Sequence, residues 1–151
     1  MPFTPAHPAI ILPFLRLSPR LVSATGLVAG SVAPDFEYFL KFSVDGIHGH
    51  TLLGSLYFDI PVALALAFAF HGVVKNNFIT NLPVSFQARL QPVRSLDFKS
   101  YFRDHWMLIV LSCWIGALSH IFWDGFTHSS GYFAQRLPFY DQTLFNLFGT
   151  N

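Results

Sequence analysis

Charge is what this sequence lacks. Asp, Glu, Lys and Arg make up 11% of its 151 residues, where soluble domains carry about 25%. Hydrophobic residues make up 52%. A soluble protein of this size needs more polar surface, so the composition points to an integral membrane protein. A basic surplus is also missing. The formal net charge is +1, which gives no electrostatic footprint for a nucleic-acid partner. Cysteine is almost absent. Cys113 stands alone inside an apolar run, so an internal disulfide is excluded and a small core residue is expected. The opening lacks the basic stretch of a signal peptide, and Pro2, Pro5, Pro8 and Pro13 interrupt its apolar positions. It reads instead as an ordered, non-helical opening segment that carries His7.

What the chain has in quantity is apolar runs, with 18 Phe among them. Its length suits one domain, taken as residues 1–151. Residues 21–33 are apolar and rich in small side chains (Ser23, Ala24, Gly26, Ala29, Gly30), which let membrane helices approach closely. The run is too short to cross a bilayer, which takes about 20 residues. A short helix packed inside the protein, or a partial insertion, is expected there. Residues 36–49 are amphipathic, then glycine-rich, and contain Asp45 and His48. Residues 51–74 form the first predicted span. Asp59 and Pro61 lie inside it, so it should be kinked, with its acid turned to protein. Residues 75–104 are polar, with Lys75, Arg89, Arg94, Lys99 and Arg103 against Asp97 and Asp104. The positive-inside rule makes this a cytoplasmic loop. Residues 105–123 form the second predicted span. The two spans make an antiparallel hairpin that brings His48 and His50 to the level of Asp124 and His128. Beyond Gly131, residues 139–148 could begin another helix, and the end at Asn151 suggests a C-terminal truncation.

His120, Asp124 and His128 are each four residues apart. On a helix they share one face, roughly 6 Å apart along the axis. Ionisable groups on a hydrophobic helix are costly without partners, and His7, Asp35, His48 and His50 are the candidates. Imidazole and carboxylate together suit Zn, Mn or Fe. His120 and Asp124 can chelate one ion, as a His and an acid one turn apart do in other helical sites. His128 is two turns from His120, about 12 Å, and is not expected to share that ion. It is kept as an additional candidate, for a second ion or substrate. His71 and His105 read as hydrogen-bonded residues at span ends, and Asp59 as a structural acid. Spacing does not separate His48 from His50.

Four stretches carry a resemblance. They are the opening Met-Pro-Phe-Thr-Pro-Ala-His-Pro-Ala, Gly30 to Tyr38 (GSVAPDFEY), His50 to Gly54 (HTLLG), and Gly116 to His128 (GALSHIFWDGFTH). In this order they closely resemble an uncharacterised bacterial membrane family known as domain of unknown function 4184, whose members usually continue into further membrane helices. The same skeleton is similar to a broader group of predicted membrane-bound metal-dependent hydrolases. It is more distantly similar to the all-helical zinc-dependent phospholipase C and nuclease fold. That analogy implies one ion held by Asp35, His50, His120 and Asp124, and a second held by His7 with Asp124 bridging. The later His and Glu set for a third ion is missing here.

The resulting expectation is an all-α membrane bundle, with a transmembrane hairpin and an N-terminal helical segment packed on its outer end. It would be a multi-pass protein of the bacterial inner membrane. The expected function is a metal-dependent hydrolase, zinc first among the ions. It would act at the outer face on a membrane lipid, with a lipid phosphodiester as the bond cleaved. Glu37 or His48 would serve as base or supporting partner. The alternative is a non-catalytic protein whose His/Asp cluster only packs helices or holds metal. The topology is testable by cysteine labelling. A cysteine at Ser95 should resist a membrane-impermeant thiol reagent in intact cells, and one at Ser130 should react. The reverse pattern would invert the hairpin.

Overall fold

Two long helices frame the molecule because two stretches of the chain stay apolar and free of helix breakers for most of their length. The computed structural model describes residues 4–43, 46–128 and 131–136. Asp45, Ser130 and the expected helix at 139–148 lie outside the described residues. Among those described, every regular element is helical. α1 (Pro8–Ile11) follows a 3-10 turn at Thr4–Ala6 and leads into another at Leu12–Arg16. α2 (Ala24–Val32) runs through the 3-10 turn Ala33–Asp35 into α3 (Phe36–Lys41). The first long helix, Ser55–Thr80, is built from α4 (Ile60–Ala69) and α5 (Lys75–Thr80) with wider π-type turns at Ser55–Asp59 and Phe70–Val74. α6 (Val84–Arg89) and α7 (Gln91–Ser95) follow, and α8 (Phe98–Thr127) is the second long helix.

Both long helices are long and apolar enough to cross a membrane, at 26 and 30 residues. The first, where a kink was expected, runs on as one helix with a local widening before Pro61. Pro61 has no N–H to donate and its ring crowds the carbonyl four residues back, and the turn just before it is widened at Ser55–Asp59. α8 departs from helical geometry at His105, whose φ is −132°. The segment at 75–104, expected as a loop, is largely helical. Lys75–Thr80 continues the first long helix, and α8 already starts at Phe98, where the Asp97 carboxylate caps it by accepting from the amides of Lys99 and Ser100. Polar composition marked where the helices cease to be apolar, not where they end.

α2 is the short internal helix anticipated at residues 21–33. Ser23 caps it, and it packs chiefly on α8 and secondarily on α4. Small residues set how close it comes. A Cβ added at Gly30 would lie 2.0 Å from the carbonyl oxygen of Cys113, and one at Gly116 would lie 2.4 Å from that of Leu27. The helices therefore touch backbone to backbone. Leu27, Ala29, Ala33, Ala63, Ala67, Ile109 and Cys113 are buried around this contact. At the α2 N-terminus the Ser23 amide donates to Ser112 Oγ at 2.8 Å. Two residues further along α8, Trp114 Nε1 donates to Ser55 Oγ at 3.0 Å and ties α8 to the first long helix.

Gly30→Ala should therefore weaken the fold by about 1–3 kcal/mol, the usual range for overpacking. Gly72, with nothing within 4 Å of an added Cβ, is the control. Gly72→Ala should be neutral or gain up to about 1 kcal/mol. Thermal midpoints in detergent would show it, and equal midpoints for the two variants would contradict the close-packing account.

Candidate metal centre

Four separate stretches of chain bring their polar side chains to one end of the hairpin. The opening turn supplies His7, just ahead of Pro8 at the start of α1. The 3-10 turn after α2 supplies Asp35, the connection into the first long helix supplies His50, and α8 supplies His120 and Asp124 one turn apart. His7 Nε2 lies 2.9 Å from Asp124 Oδ1. His50 Nε2 lies 3.3 Å from Asp124 Oδ2 and 3.6 Å from Asp35 Oδ1. His120 Nε2 lies 3.3 Å from Asp124 Oδ2 and 3.5 Å from Asp35 Oδ1. The His7 ring stacks on that of His120, centroids 3.7 Å apart. All five residues share one cluster.

The orientation of His120 is decisive. Its Nδ1 donates to the Ser31 carbonyl at 2.7 Å. A carbonyl only accepts, so Nδ1 carries the hydrogen, and in the neutral ring Nε2 is a lone pair. That lone pair faces two carboxylate oxygens. His120 Nε2 and Asp35 Oδ1 are both buried without a hydrogen-bond partner. Such an arrangement requires a positive particle between the groups, either a proton or a metal ion. His7 repeats the pattern, with Nδ1 on the Thr4 carbonyl at 3.2 Å and Nε2 on Asp124. A carbonyl that fixes the tautomer of a ligating imidazole is the usual support of a metal-binding histidine.

Two sets of three could each hold an ion, His7 with Asp35 and His120, and His50 with His120 and Asp124. In each, the ligand atoms lie within 4.8 Å of one another. Three imidazoles and two carboxylates carry the charge that one divalent cation neutralises. The donor set fits a borderline metal rather than Mg or Ca. His120 has a single free lone pair and can serve only one ion.

The remaining sequence candidates take other places. His128 Nδ1 is 3.3 Å from Asp124 Oδ1, beside the cluster but in neither set of three, as two turns of rise from His120 required. Glu37 is 1% exposed. Its carboxylate accepts from the amides of Ile47, His48 and Gly49 and pairs with Lys41. It clamps the loop that delivers His50. His48, held by that clamp, turns its Nδ1 to the Tyr57 hydroxyl on the exposed side. Asp59 is fully buried with both oxygens unpartnered and belongs to neither set.

Sequence reasoning missed three supporting groups. Thr4 donates its hydroxyl to Asp35, Ser31 offers its carbonyl to His120, and the Tyr38 hydroxyl lies 3.4 Å from His50 Nδ1. All three lay within the quoted stretches, Thr4 in the opening and Ser31 and Tyr38 in Gly30 to Tyr38, but only the hydroxyls of Thr4 and Tyr38 were legible as polar side chains, since Ser31 acts through its backbone. The cluster opens into a cleft of about 390 Å³ lined by Tyr38, His50, Ile121, Asp124, His128 and Tyr132.

The arrangement defines a helical protein with a buried three-histidine, two-aspartate cluster able to hold a metal ion. Comparison with known families places it further. The chain matches the family described as Domain of unknown function (DUF4184) over residues 1–150 and belongs to it. No curated protein and no solved structure matches it.

The charges also predict a pH dependence. Burial alone would lower the pKa of His50, but the carboxylates of Asp124 and Asp35 outweigh it and raise it from 6.5 to about 9. Burial opposes ionisation of Asp35 too, yet His120, His50 and Thr4 hold its carboxyl well below the usual range. A folded-state pKa above the unfolded one stabilises fully at pH below 6.5, and that contribution is lost as pH rises through about 9. Asp35, depressed, contributes above its ordinary 3.8 and loses it at lower pH. Metal-stripped protein should therefore lose thermal stability between pH 6.5 and about 9, and His50→Gln should flatten the slope. A slope that His50→Gln leaves intact would remove His50 as its source.

Proposed function

We propose that this protein is a membrane-bound metal-dependent hydrolase that cleaves a phosphodiester of a membrane lipid. One observation carries the reading. Two buried carboxylates face an imidazole lone pair at the inner end of an accessible cleft, so a cation and a substrate can meet there. The membrane location is supported by the surfaces of the long helices. Leu56, Tyr57, Phe68, Val73, Phe78, Trp106, Met107, Leu111 and Phe122 are exposed, which suits contact with lipid rather than water. The bacterial inner membrane is the proposed location, with the basic segment 75–104 on the cytoplasmic side.

Asp35, His50, His120 and Asp124 would hold the catalytic ion, zinc by preference, and His7 would serve a second ion through Asp124. A divalent ion in this position supplies a nucleophilic water at near-neutral pH and stabilises developing negative charge. The chain's own residues do the rest. Ser31 and Thr4 fix the tautomers of His120 and His7. Glu37 holds the His50 loop in register. His128 and Tyr38 line the cleft where the scissile group would sit. His48, the other candidate base, is turned to the Tyr57 hydroxyl on the exposed side and would act only with that bond open.

The competing reading is a cluster that only packs helices. Asp124→Asn separates the two. It preserves shape and removes the charge that offsets a divalent cation. For a metal enzyme, bound zinc and manganese should fall by ~10–100-fold or more, given that supporting residues alone have effects of that size. Hydrolysis of phospholipid in detergent micelles should be lost, while folding survives, because an amide is cheaper to bury than an unpaired carboxylate. A wild-type protein purified without metal, and stabilised by Asp124→Asn, would leave the packing cluster standing.

A further inference from the structure

At the other end of the hairpin, away from the metal centre, a buried cation lacks a counter-ion. Lys75 is 5% exposed. Its Nζ donates to the Leu96 carbonyl at 2.7 Å, and among the described residues no carboxylate pairs with it. An ammonium has three hydrogens to donate, and a buried unpaired charge is costly. The group opens on a cavity of about 210 Å³ lined by Phe68, His71, Lys75, Asp97, Phe98 and Lys99.

The other polar groups there leave the need unmet. The Asp97 carboxylate is committed to α8, accepting from the amides of Lys99 and Ser100 and from Ser100 Oγ. His71 lies flat on Phe98, centroids 4.3 Å apart, with Nε2 3.0 Å from the Thr25 hydroxyl. Its Nδ1 is buried with no partner. When the Thr25 hydroxyl donates to Nε2, Nδ1 carries a hydrogen and is a second unfilled donor. Lys99 is an exposed second cation at the rim.

We propose that this cavity binds the phosphate of an anionic phospholipid. Depth and shape select a lipid over a soluble anion. From Ser55 to Lys75 the helix rises roughly 30 Å, the thickness of a bilayer's hydrocarbon core. With the metal centre at one surface, Lys75 lies at phosphate depth in the opposite leaflet. Phe68 and Phe98 supply an apolar wall beside the charged rim, which fits a headgroup joined to acyl chains. Basic pockets between membrane helices on the cytoplasmic side are a known form of lipid recognition. The inference rests on the membrane reading and not on the hydrolytic one.

Native mass spectrometry of the full chain, released from micelles doped with phosphatidylglycerol or phosphatidylcholine, tests it. Wild type should retain phosphatidylglycerol preferentially. Lys75→Gln should lower that retention at least tenfold and Lys99→Gln several-fold. Arg94→Gln, which alters an exposed residue that does not line the cavity, should leave it unchanged. Lys99→Gln carries the test if Lys75→Gln fails to fold. Equal retention of the two lipids, or retention indifferent to both lysine substitutions, would overturn the proposal. Displacement of the lipid by millimolar inorganic phosphate would reassign the cavity to a soluble anion and also overturn it. Metal content measured on the same samples keeps the result separate from the function of the other end. A chain that partitions into the soluble fraction would instead remove the membrane reading.

Discussion

The contact on which the site depends is the one between two backbones, at Gly30 of α2 and Gly116 of α8. No side chain separates the helices there, and no Cβ would fit. This closeness lets the Ser31 carbonyl reach the His120 ring. Ser31 follows Gly30 directly, and His120 stands one turn beyond Gly116, so the two pairs come into register together. Once Ser31 has taken Nδ1, the chemistry of Nε2 is determined. The chain then leaves α2 through Pro34 in a 3-10 turn that sets Asp35 opposite that nitrogen. A packing requirement and a chemical one are met by the same few residues.

From this follows a site that is well packed but electrostatically incomplete. Asp35 and Asp124 together surround imidazoles whose other nitrogens are already spent. In a core selected only for stability, apolar side chains of similar volume would serve as well or better. The cluster makes sense when a cation is part of the folded state, because binding free energy then offsets desolvation. Asp35 Oδ1 and His120 Nε2, buried without hydrogen-bond partners, are the atoms that such a cation, a proton or a metal ion, would satisfy.

Much of this was readable in the sequence, because helices have a period. The His120–Asp124 interval placed both residues on one face, and the small residues of 21–33 announced a closely packed internal helix. What could not be read depended on backbone groups or on irregular chain. Ser31 acts through its carbonyl, which every residue type has. His48 and His50 sit in a segment with no periodicity, and their fates diverge because Glu37 binds three successive amides, those of Ile47, His48 and Gly49. That clamp fixes the backbone so that His50 enters the cluster while His48 faces Tyr57. A glutamate three residues after Pro34 gives no hint that its partners lie ten residues on. The ends of the long helices were misplaced for another reason. Lysines and arginines are compatible with helix, so polarity showed the edge of the apolar run and not the cap at Asp97.

The distribution of exposure across the cluster bears on whether it is a closed structural centre or one that can exchange a ligand. The side chains of His120, His7 and Asp35 are 0%, 1% and 2% exposed. Asp124 rises to 11%, His50 to 23% and His128 to 34%. The gradient runs in one direction, from the α2–α8 contact toward the cleft. A structural metal centre is enclosed by ligands on all sides, whereas a catalytic one keeps a position open to solvent or substrate. Here the rigid, dry side is built from the groups that carbonyls have fixed. The wetter side is built from His50, delivered by a clamped loop, and from His128, just past the end of α8. A ligand entering from the cleft would pass His128 at its rim and then meet His50 and Asp124. Asp124 touches all four histidines of the region, His7, His50, His120 and His128. It thus couples the mouth to the charge of the buried end, as His50 does through Asp35.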